Sequence, residues 1–324
     1  MDNLTHTMAG ALLAECGLKH RSRLAYPALL IGANLPDVDI LSYVFYDSLT
    51  ALAFRRGWTH GVLAMVVLPV VLATLLIVWS RARRQRQSVE SRASIAPVAY
   101  LPLLGVAAVG VVSHPLLDLV NNYGVRLLMP FSARWFYGDA IYIVDPWILA
   151  FVIGGTWLTR RRENAGRPSV AVARVALAGV LAYIAAMTYI SHDAARLVAR
   201  EAGLSTPVSP RVLMLDPDPV RALTRRGLLD TGDAYERWRV EWRPGGSRVE
   251  RVLPPIPKGD GDPRALAASA THDGQRYLTW ARFPFFVCGV DGDPALVHLG
   301  DARYSEGPAP AWSTTRVRVP IPGA

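Results

Sequence analysis

Cysteine is scarce. The chain has 324 residues and two cysteines, Cys16 and Cys288, far apart along it. That excludes a CxxC zinc site and a disulfide framework. Charge is scarce too. Asp, Glu, Lys and Arg make up 19% of residues, against roughly a quarter in soluble globular chains. No internal repeat and no low-complexity block interrupt the sequence. The start lacks a basic n-region, and Asp2 stands where one would begin, so it does not read as a standard signal peptide. This composition excludes a disordered chain and a simple soluble enzyme.

What replaces charge is apolar residue in long runs. Hydrophobic residues reach 51% and mean hydropathy is +0.22. The windows Gly61–Trp79, Ala96–Leu117, Ala140–Leu158 and Val170–Ile190 are each long enough to cross a bilayer as a helix. Two earlier stretches are weaker. Leu4–Leu18 is short and holds His6 and Glu15; Leu24–Tyr46 holds Asn34, Pro36, Asp37 and Asp39. Both are expected to be membrane-embedded, partly re-entrant. From about residue 193, Pro, Gly, Asp and Arg become common. Alternating stretches appear at Trp238–Trp242, Tyr277–Trp280, Ala295–Leu299 and Arg316–Val319, with turn signals at Pro244–Gly246 and Asp291–Asp293. The expected fold is mainly α. A polytopic membrane helical bundle of about five or six segments fills residues 1–192. A small β-rich extramembrane domain fills 193–324, behind a helical linker of about 193–203. Trp238, Trp242, Trp280 and Phe283–Phe286 are expected to form its core.

The net charge of +9 invites a nucleic-acid reading, but its placement argues otherwise. Lys19, Arg21 and Arg23 follow the first segment. Arg81, Arg83, Arg84, Arg86 and Arg92 follow the third, and Arg160, Arg161, Arg162 and Arg167 follow the fifth. Alternate loops are basic, as the positive-inside rule requires of cytoplasmic loops. No aromatic stacking platform lies beside them. The expected location is the plasma membrane, multi-pass, with the C-terminal domain outside the cytoplasm.

Polar groups then recur where they cost most, at least ~2.5–3.5 kcal/mol each near the bilayer centre. On the arginine-derived topology, His6, Asn34, Asp37, Asp39, His60, His114, Asp118, Asp139 and Asp145 all fall at the outer membrane face. His and Asp supply the nitrogen and carboxylate donors of hydrolytic zinc or manganese sites. His114 and Asp118 stand at i,i+4, on one helix face. Pro115 between them is expected to kink or restart the helix. Each residue has a bland alternative. His6 reads as a helix-surface histidine, Asp37 as a cap, and His60 as an interfacial residue beside Trp58. Asp139 and Asp145 would complement a helix dipole. His20, His192, His272 and His298 have no acidic constellation and read as ordinary polar histidines.

The pieces Thr5–Gly10, Gly32–Asp39, Arg56–Gly61, Ser113–Asp118, and Gly138-Asp139 with Asp145–Trp147, in this order and spacing, resemble the YdjM family of bacterial inner-membrane proteins, described as membrane-bound metal-dependent hydrolases. The resemblance covers roughly residues 1–190. Arg282–Pro284 followed by Asp301–Tyr304 also looks like the family's tail. The motif pattern is similar, by analogy, to zinc-dependent phospholipase C-like proteins, which are helical and use His and Asp ligands.

The chemistry expected of this set is metal-assisted hydrolysis. His6, His60, His114 and Asp118 would be metal ligands, with Asp37 or Asp39 bridging or ligating one or two divalent ions, Zn or Mn. Asp139 or Asp145 would orient the ligands or act as general base. Asn121, Asn122 and Arg56 would hold a polar head group and Arg126 would contact phosphate; alternatively the asparagines cap the helix and the arginines snorkel to head groups. An ester or phosphoester of a lipid or lipid-linked substrate fits a site opening at the outer leaflet. Two other classes remain: an ion- or proton-coupled transporter, since intramembrane carboxylates serve such pathways, and a membrane scaffold with a structural metal.

Overall fold

The structure is a computed structural model describing residues 1–86, 88, 96–205, 208–209 and 211–320. Arg92 of the expected basic loop lies outside the described residues. The chain forms two compact units. One comprises Met1–Asp39 with Arg56–Thr188, the other Ile40–Arg55 with Tyr189–Ala324.

The first unit is helical. Helix α1 is Asn3–Glu15 and α2 is Ala25–Gly32. A 3₁₀ stretch, Leu35–Leu41, follows; next in chain order, α3 (Ser42–Phe45) and α4 (Ser48–Phe54) belong to the second unit. Then come α5 (Val62–Gln85), α6 (Tyr100–Leu119), α7 (Pro146–Asn164) and α8 (Val170–Glu201). Among the described residues, α5, α6 and α8 are long and apolar enough to cross a membrane. The pair Ala25–Gly32 and Leu35–Phe45, bent by 46°, adds a fourth if it is one span.

These lengths do not confirm the expected count of about five or six segments. At 13 residues, α1 extends only about 20 Å, short of a hydrocarbon core of about 30 Å. The run Ala140–Leu158 is cut at its start. Ile141 bridges to Asn121, Asp145 caps α7, and the helix ends in charged residues at Arg160–Glu163.

At the core of this unit, Ala25, Ala28 and Leu29 of α2 pack with Ala14, Leu72, Ala73, Leu103 and Ala107. Glycine permits the approach. A Cβ on Gly10 of α1 would stand 2.7 Å from the Leu29 carbonyl oxygen, and one on Gly110 of α6 would stand 3.1 Å from the same atom. So α2 is held backbone-close to the two helices that carry His6 and His114. Pro115 neither breaks nor restarts α6, which continues to Leu119.

The second unit holds two antiparallel sheets. In the first, β1 (Leu213–Pro217), β2 (Thr224–Asp230), β3 (Ala234–Arg243) and β4 (Gly246–Arg251) pair in chain order, with β5 (Ile256–Pro257) on β3. The second is β6 (Pro284–Cys288), β7 (Leu296–Asp301) and β8 (Thr314–Arg318). Helices α9 (Pro263–Ala270) and α10 (His272–Trp280) lie between them in sequence. The last turns of α8, through Ala194 and Val198, pack on Leu215, Leu229 and Trp238 of the first sheet. The 40–55 stretch belongs here too; Arg276 of α10 pairs with Asp47 before α4 at 3.2 Å.

Trp238, Trp280, Phe283, Phe285 and Phe286 are buried, as expected, and Trp242 is partly buried. Tyr277–Trp280 is not a strand. Thr271 caps α10 by accepting from Gly274 N, and Gly274, Tyr277 and Trp280 then repeat at i,i+3 on the buried face. His298 is core rather than surface: it lies in β7 with no exposed area. Burial, then the Arg316 charge, holds its pKa below the ordinary value.

Candidate metal centre

Four elements of the first unit bring their polar ends together. Asp2 caps α1 by accepting from Thr5 N, which starts the helix early enough to place His6 in its first turns. Asn34 Nδ2 donates to Thr7 Oγ1 (2.9 Å) and to the Leu30 carbonyl (2.8 Å). That ties the end of α2 to α1 and launches the 3₁₀ stretch carrying Asp37 and Asp39. His60 immediately precedes α5, while His114 and Asp118 close α6.

All of these side chains are removed from solvent. His6, His60, His114 and Asp118 have no exposed area, and Asp37 and Asp39 are buried. Asp118 is the hub. Its Oδ1 lies 3.4 Å from His6 Nε2, and its Oδ2 lies 3.5 Å from both His60 Nε2 and His114 Nε2. Asp37 faces the same nitrogens, at 3.7 Å from His60 Nε2 and 3.8 Å from His114 Nε2. The His6 and His114 rings stack at 3.7 Å.

The hydrogen bonds dictate which nitrogens are free to donate electrons. His114 Nδ1 lies 2.6 Å from the Ala33 carbonyl oxygen. A carbonyl only accepts, so Nδ1 carries the proton and a neutral ring keeps a lone pair on Nε2. His60 Nδ1 meets Thr59 Oγ1 at 3.0 Å, and that hydroxyl reaches Asp39 Oδ2 at 3.3 Å. This relay likewise protonates Nδ1 and leaves the Nε2 lone pair. Burial keeps His60 below its ordinary pKa, against the pull of Asp118. The two Nε2 atoms then face each other at 3.2 Å. Two lone pairs at that distance repel unless a positive centre lies between or beside them. Among the described residues, neither nitrogen of the fully buried His6 ring has a well-formed hydrogen bond.

This donor set fits a divalent cation. Donor atoms of His6, His114 and Asp118 lie within 4.8 Å of one another, as do those of Asp37, His60 and His114. Zinc bonds of about 2.0–2.1 Å in tetrahedral geometry put neighbouring ligand atoms roughly 3.4 Å apart, close to the spacings here. Two nitrogen groups besides the imidazoles already approach the hub. The α-amino group of Met1 contacts Asp118, and Arg56 Nη2 lies 3.4 Å from it.

The residues expected at the site divide into groups. His6, Asp37, His60, His114 and Asp118 converge. Asp39 sits one bond further out: its Oδ2 accepts from Arg56 N at 2.7 Å and holds Thr59. Arg56, at φ 52°, stacks over Tyr123 at 4.4 Å. Asn121 Nδ2 donates to Asp118 Oδ1 at 3.2 Å, while its own Oδ1 accepts from Tyr123 N at 2.9 Å. Its amide therefore serves the turn as well as the hub. Asn122 is buried in the same turn. Arg126 N donates to the Arg56 carbonyl, and its guanidinium covers Trp135 at 5.0 Å. Asp145 is engaged elsewhere. Its Oδ1 accepts from Trp147 N and Ile148 N, and its Oδ2 from Tyr183. Asp139, at φ 49°, lies against Asn121 through its backbone N–H. Sequence reading missed the Ala33 carbonyl, because a backbone acceptor leaves no residue-type signal. It also missed Tyr183 as the partner of Asp145.

Comparison with known families covers the same part of the chain. The model of the YdjM inner membrane protein family matches residues 1–194, a stretch that includes every converging residue. The chain belongs to the YdjM family. A relative from Bacillus subtilis (strain 168), named "Uncharacterized protein YfhP", is 25% identical over 157 residues, 46% of this chain and 43% of that protein. The chain thus spans less than half the length of that curated relative. No solved structure matches significantly. Family membership and the apolar helices α5, α6 and α8 together make this an inner-membrane protein.

Proposed function

We propose that this YdjM-family protein is a membrane-embedded, metal-dependent hydrolase acting on a phosphoester or ester of a lipid or lipid-linked substrate. The observation that carries the reading is the buried convergence of three imidazoles on one carboxylate, with the His60 and His114 lone pairs face to face at 3.2 Å. His6, His60, His114 and Asp118 would hold the ion, with Asp37 completing the shell. Nδ1 of His114 is spent on Ala33, so the ring has one lone pair to give. Two triads that share it cannot both be filled through it, which favours one ion. Zinc suits the donors, and manganese is the alternative. A divalent ion bound there would acidify a water and polarise the scissile oxygen.

The remaining residues have supporting work. Asp39 and Thr59 orient His60, and the Ala33 carbonyl orients His114, each fixing a tautomer. Arg56, 3.4 Å from Asp118, would meet a phosphate oxygen there. Asp145 caps α7 and meets Tyr183; Asp139, the other expected carboxylate, would accept the proton from the attacking water. The basic loops after α1 and α5 and the basic end of α7 would face the cytoplasm, which requires the 19-residue α7 to cross as well as α5, α6 and α8, leaving the chain beyond α8 outside it.

The decisive test is elemental analysis of detergent-purified protein beside His60→Ala/His114→Ala, followed by a screen of lipid phosphoesters in mixed micelles. Stoichiometric zinc or manganese in wild type, absent from the variant, is expected. Wild type that stays metal-free after reconstitution would sink the hydrolase reading. Metal without bond cleavage, but with ion flux in vesicles, would turn it into a transporter.

A further inference from the structure

The first sheet of the second unit has two unlike ends. At one, the β1–β2 turn carries Val220, Arg221 and Leu223, all exposed; Val220 is 67% and Leu223 54% exposed. At the other, the β2–β3 turn carries Thr231, Gly232 and Asp233, exposed throughout and without a large apolar residue. Water solvates the second composition well and the first poorly. The apolar turn is held in shape by its own backbone. Asp218 Oδ1 accepts from Val220 N at 3.1 Å and from Arg221 N at 2.9 Å, and Thr224 N donates to the Arg221 carbonyl at 2.8 Å.

Helix α8 decides which end faces the bilayer. The second unit resumes at Tyr189, and the apolar window of α8 ends one residue later, at Ile190. Ser191 follows at once, and its Oγ accepts from Arg225 Nε at 3.0 Å. Arg225 Nη1 donates in turn to the Ala222 and Thr224 carbonyls, at 3.1 Å each. Trp242 Nε1 donates to Asp193 Oδ2 at 3.4 Å. The body of the sheet packs further along the helix, on Ala194 and Val198. The β1–β2 turn and the end of β3 therefore lie level with the last apolar residues of α8, and the β2–β3 turn points away from them.

Between that turn and β3 lies a recess of about 380 Å³, whose lining includes Arg221, Leu223, Glu241, Trp242 and Arg243. Glu241 neutralises Arg243, whose Nε lies 3.1 Å from it. Among the described residues the Arg221 guanidinium makes no ion pair. Exposed aliphatics, an indole and a free guanidinium at the exit of an apolar helix match the layers of a membrane interface: acyl chains, head-group region and phosphate.

We infer that the β1–β2 turn docks on the membrane surface: Val220 and Leu223 enter the leaflet from which α8 emerges, and Arg221 takes the phosphate of an anionic lipid. The inference does not depend on the hydrolase reading, nor on which side of the membrane carries this unit.

The test uses the full-length protein with Cys16→Ser and Cys288→Ser, so that one introduced thiol, Leu223→Cys or Thr231→Cys, carries an environment-sensitive fluorophore. Each variant is reconstituted in bilayers of equal parts phosphatidylglycerol and phosphatidylcholine with a doxyl-labelled lipid as quencher, and again in phosphatidylcholine alone. Thermal melting reports whether each variant is folded. The doxyl lipid is expected to quench the probe at 223 and to spare the probe at 231. Adding Arg221→Gln, or omitting phosphatidylglycerol, should lower the docked-to-free ratio about fivefold. A probe at 223 quenched no more than the one at 231 overturns the proposal. So does quenching indifferent to both phosphatidylglycerol and Arg221→Gln. Protection of the 223 probe from aqueous iodide without quenching by lipid would assign the turn to a protein contact and overturn it too. Turnover is not read, so an inactive or metal-free protein would sink the hydrolase reading alone.

Discussion

The two units of this chain solve opposite solvation problems. In the first, apolar side chains face outward: Val66, Leu75, Leu101 and Val175 are each at least 60% exposed. The ionisable groups of the donor cluster lie inside, with His6, His60, His114 and Asp118 fully buried. In the second, the order is the familiar one. Trp238, Phe285 and Val297 are inside, and ion pairs such as Arg248–Glu250 and Arg251–Glu236 lie on the outside of the sheet. Lipid places no premium on burying leucine, so the interior of the first unit is free to hold polar chemistry. Water does, so the second unit spends its interior on aromatics. Buried charge therefore means different things in the two. Asp301 in the second unit is fully paired, accepting from Arg282 N (2.7 Å) and Arg303 N (3.0 Å) and pairing with the Arg303 guanidinium (2.9 Å). The histidine cluster of the first has donors still to spend.

That contrast can be broken by experiment. The largest expected effect is at the hub. His114→Ala should take the bound divalent ion from stoichiometric to background and abolish turnover while the protein still inserts. Retained metal and activity would remove the site. Next, Asp301→Asn should destabilise the second unit by about 3–5 kcal/mol, the usual cost of breaking a buried pair, with metal content unchanged. A denaturation series with parallel metal analysis measures both. Asp39→Asn weakens the Thr59–His60 relay without deleting a ligand, so metal affinity should fall about 10–100-fold, read by chelator competition.

Acid should act on both units, through His298 in the second and through His60 in the first. Burial lowers the pKa of His60, so the folded protein binds fewer protons there than the unfolded chain. The associated stability is present at neutral pH and is lost as pH falls below the unfolded value of about 6.5. Metal occupancy should fall in the same range, because the ligands must be neutral. A pH titration of bound metal that stays flat from 7 to 5 would contradict this. The smallest effect belongs to the exposed pairs: Arg248→Ala should cost under about 1 kcal/mol, measured as a shift in melting temperature.

Legibility differed between the two units for physical reasons. In the first, the cost of polar groups in apolar runs marked His6, His114 and Asp118 plainly, and i,i+4 spacing put the last two on one face. Asp145 was marked by the same logic, yet its carboxylate caps α7 and meets Tyr183, since any Asp before Pro at a helix start is also a good cap. In the second, alternation found β3, β7 and β8 but misread Tyr277–Trp280. Four residues are too few to separate a period of two from a helical face, and the Thr271 cap decided the matter.

By itself the sequence determined the solvent of each region, the run of helices α5, α6 and α8, and the kinds of donor available, because hydropathy and residue chemistry are local properties. Only the tertiary structure decided which donors meet. Gly10 and Gly110 let α2 lie against α1 and α6. The Ala33 carbonyl and Thr59 set the two tautomers, and Asp118 became the hub, because convergence depends on backbone approach and hydrogen-bond direction across segments far apart in the chain.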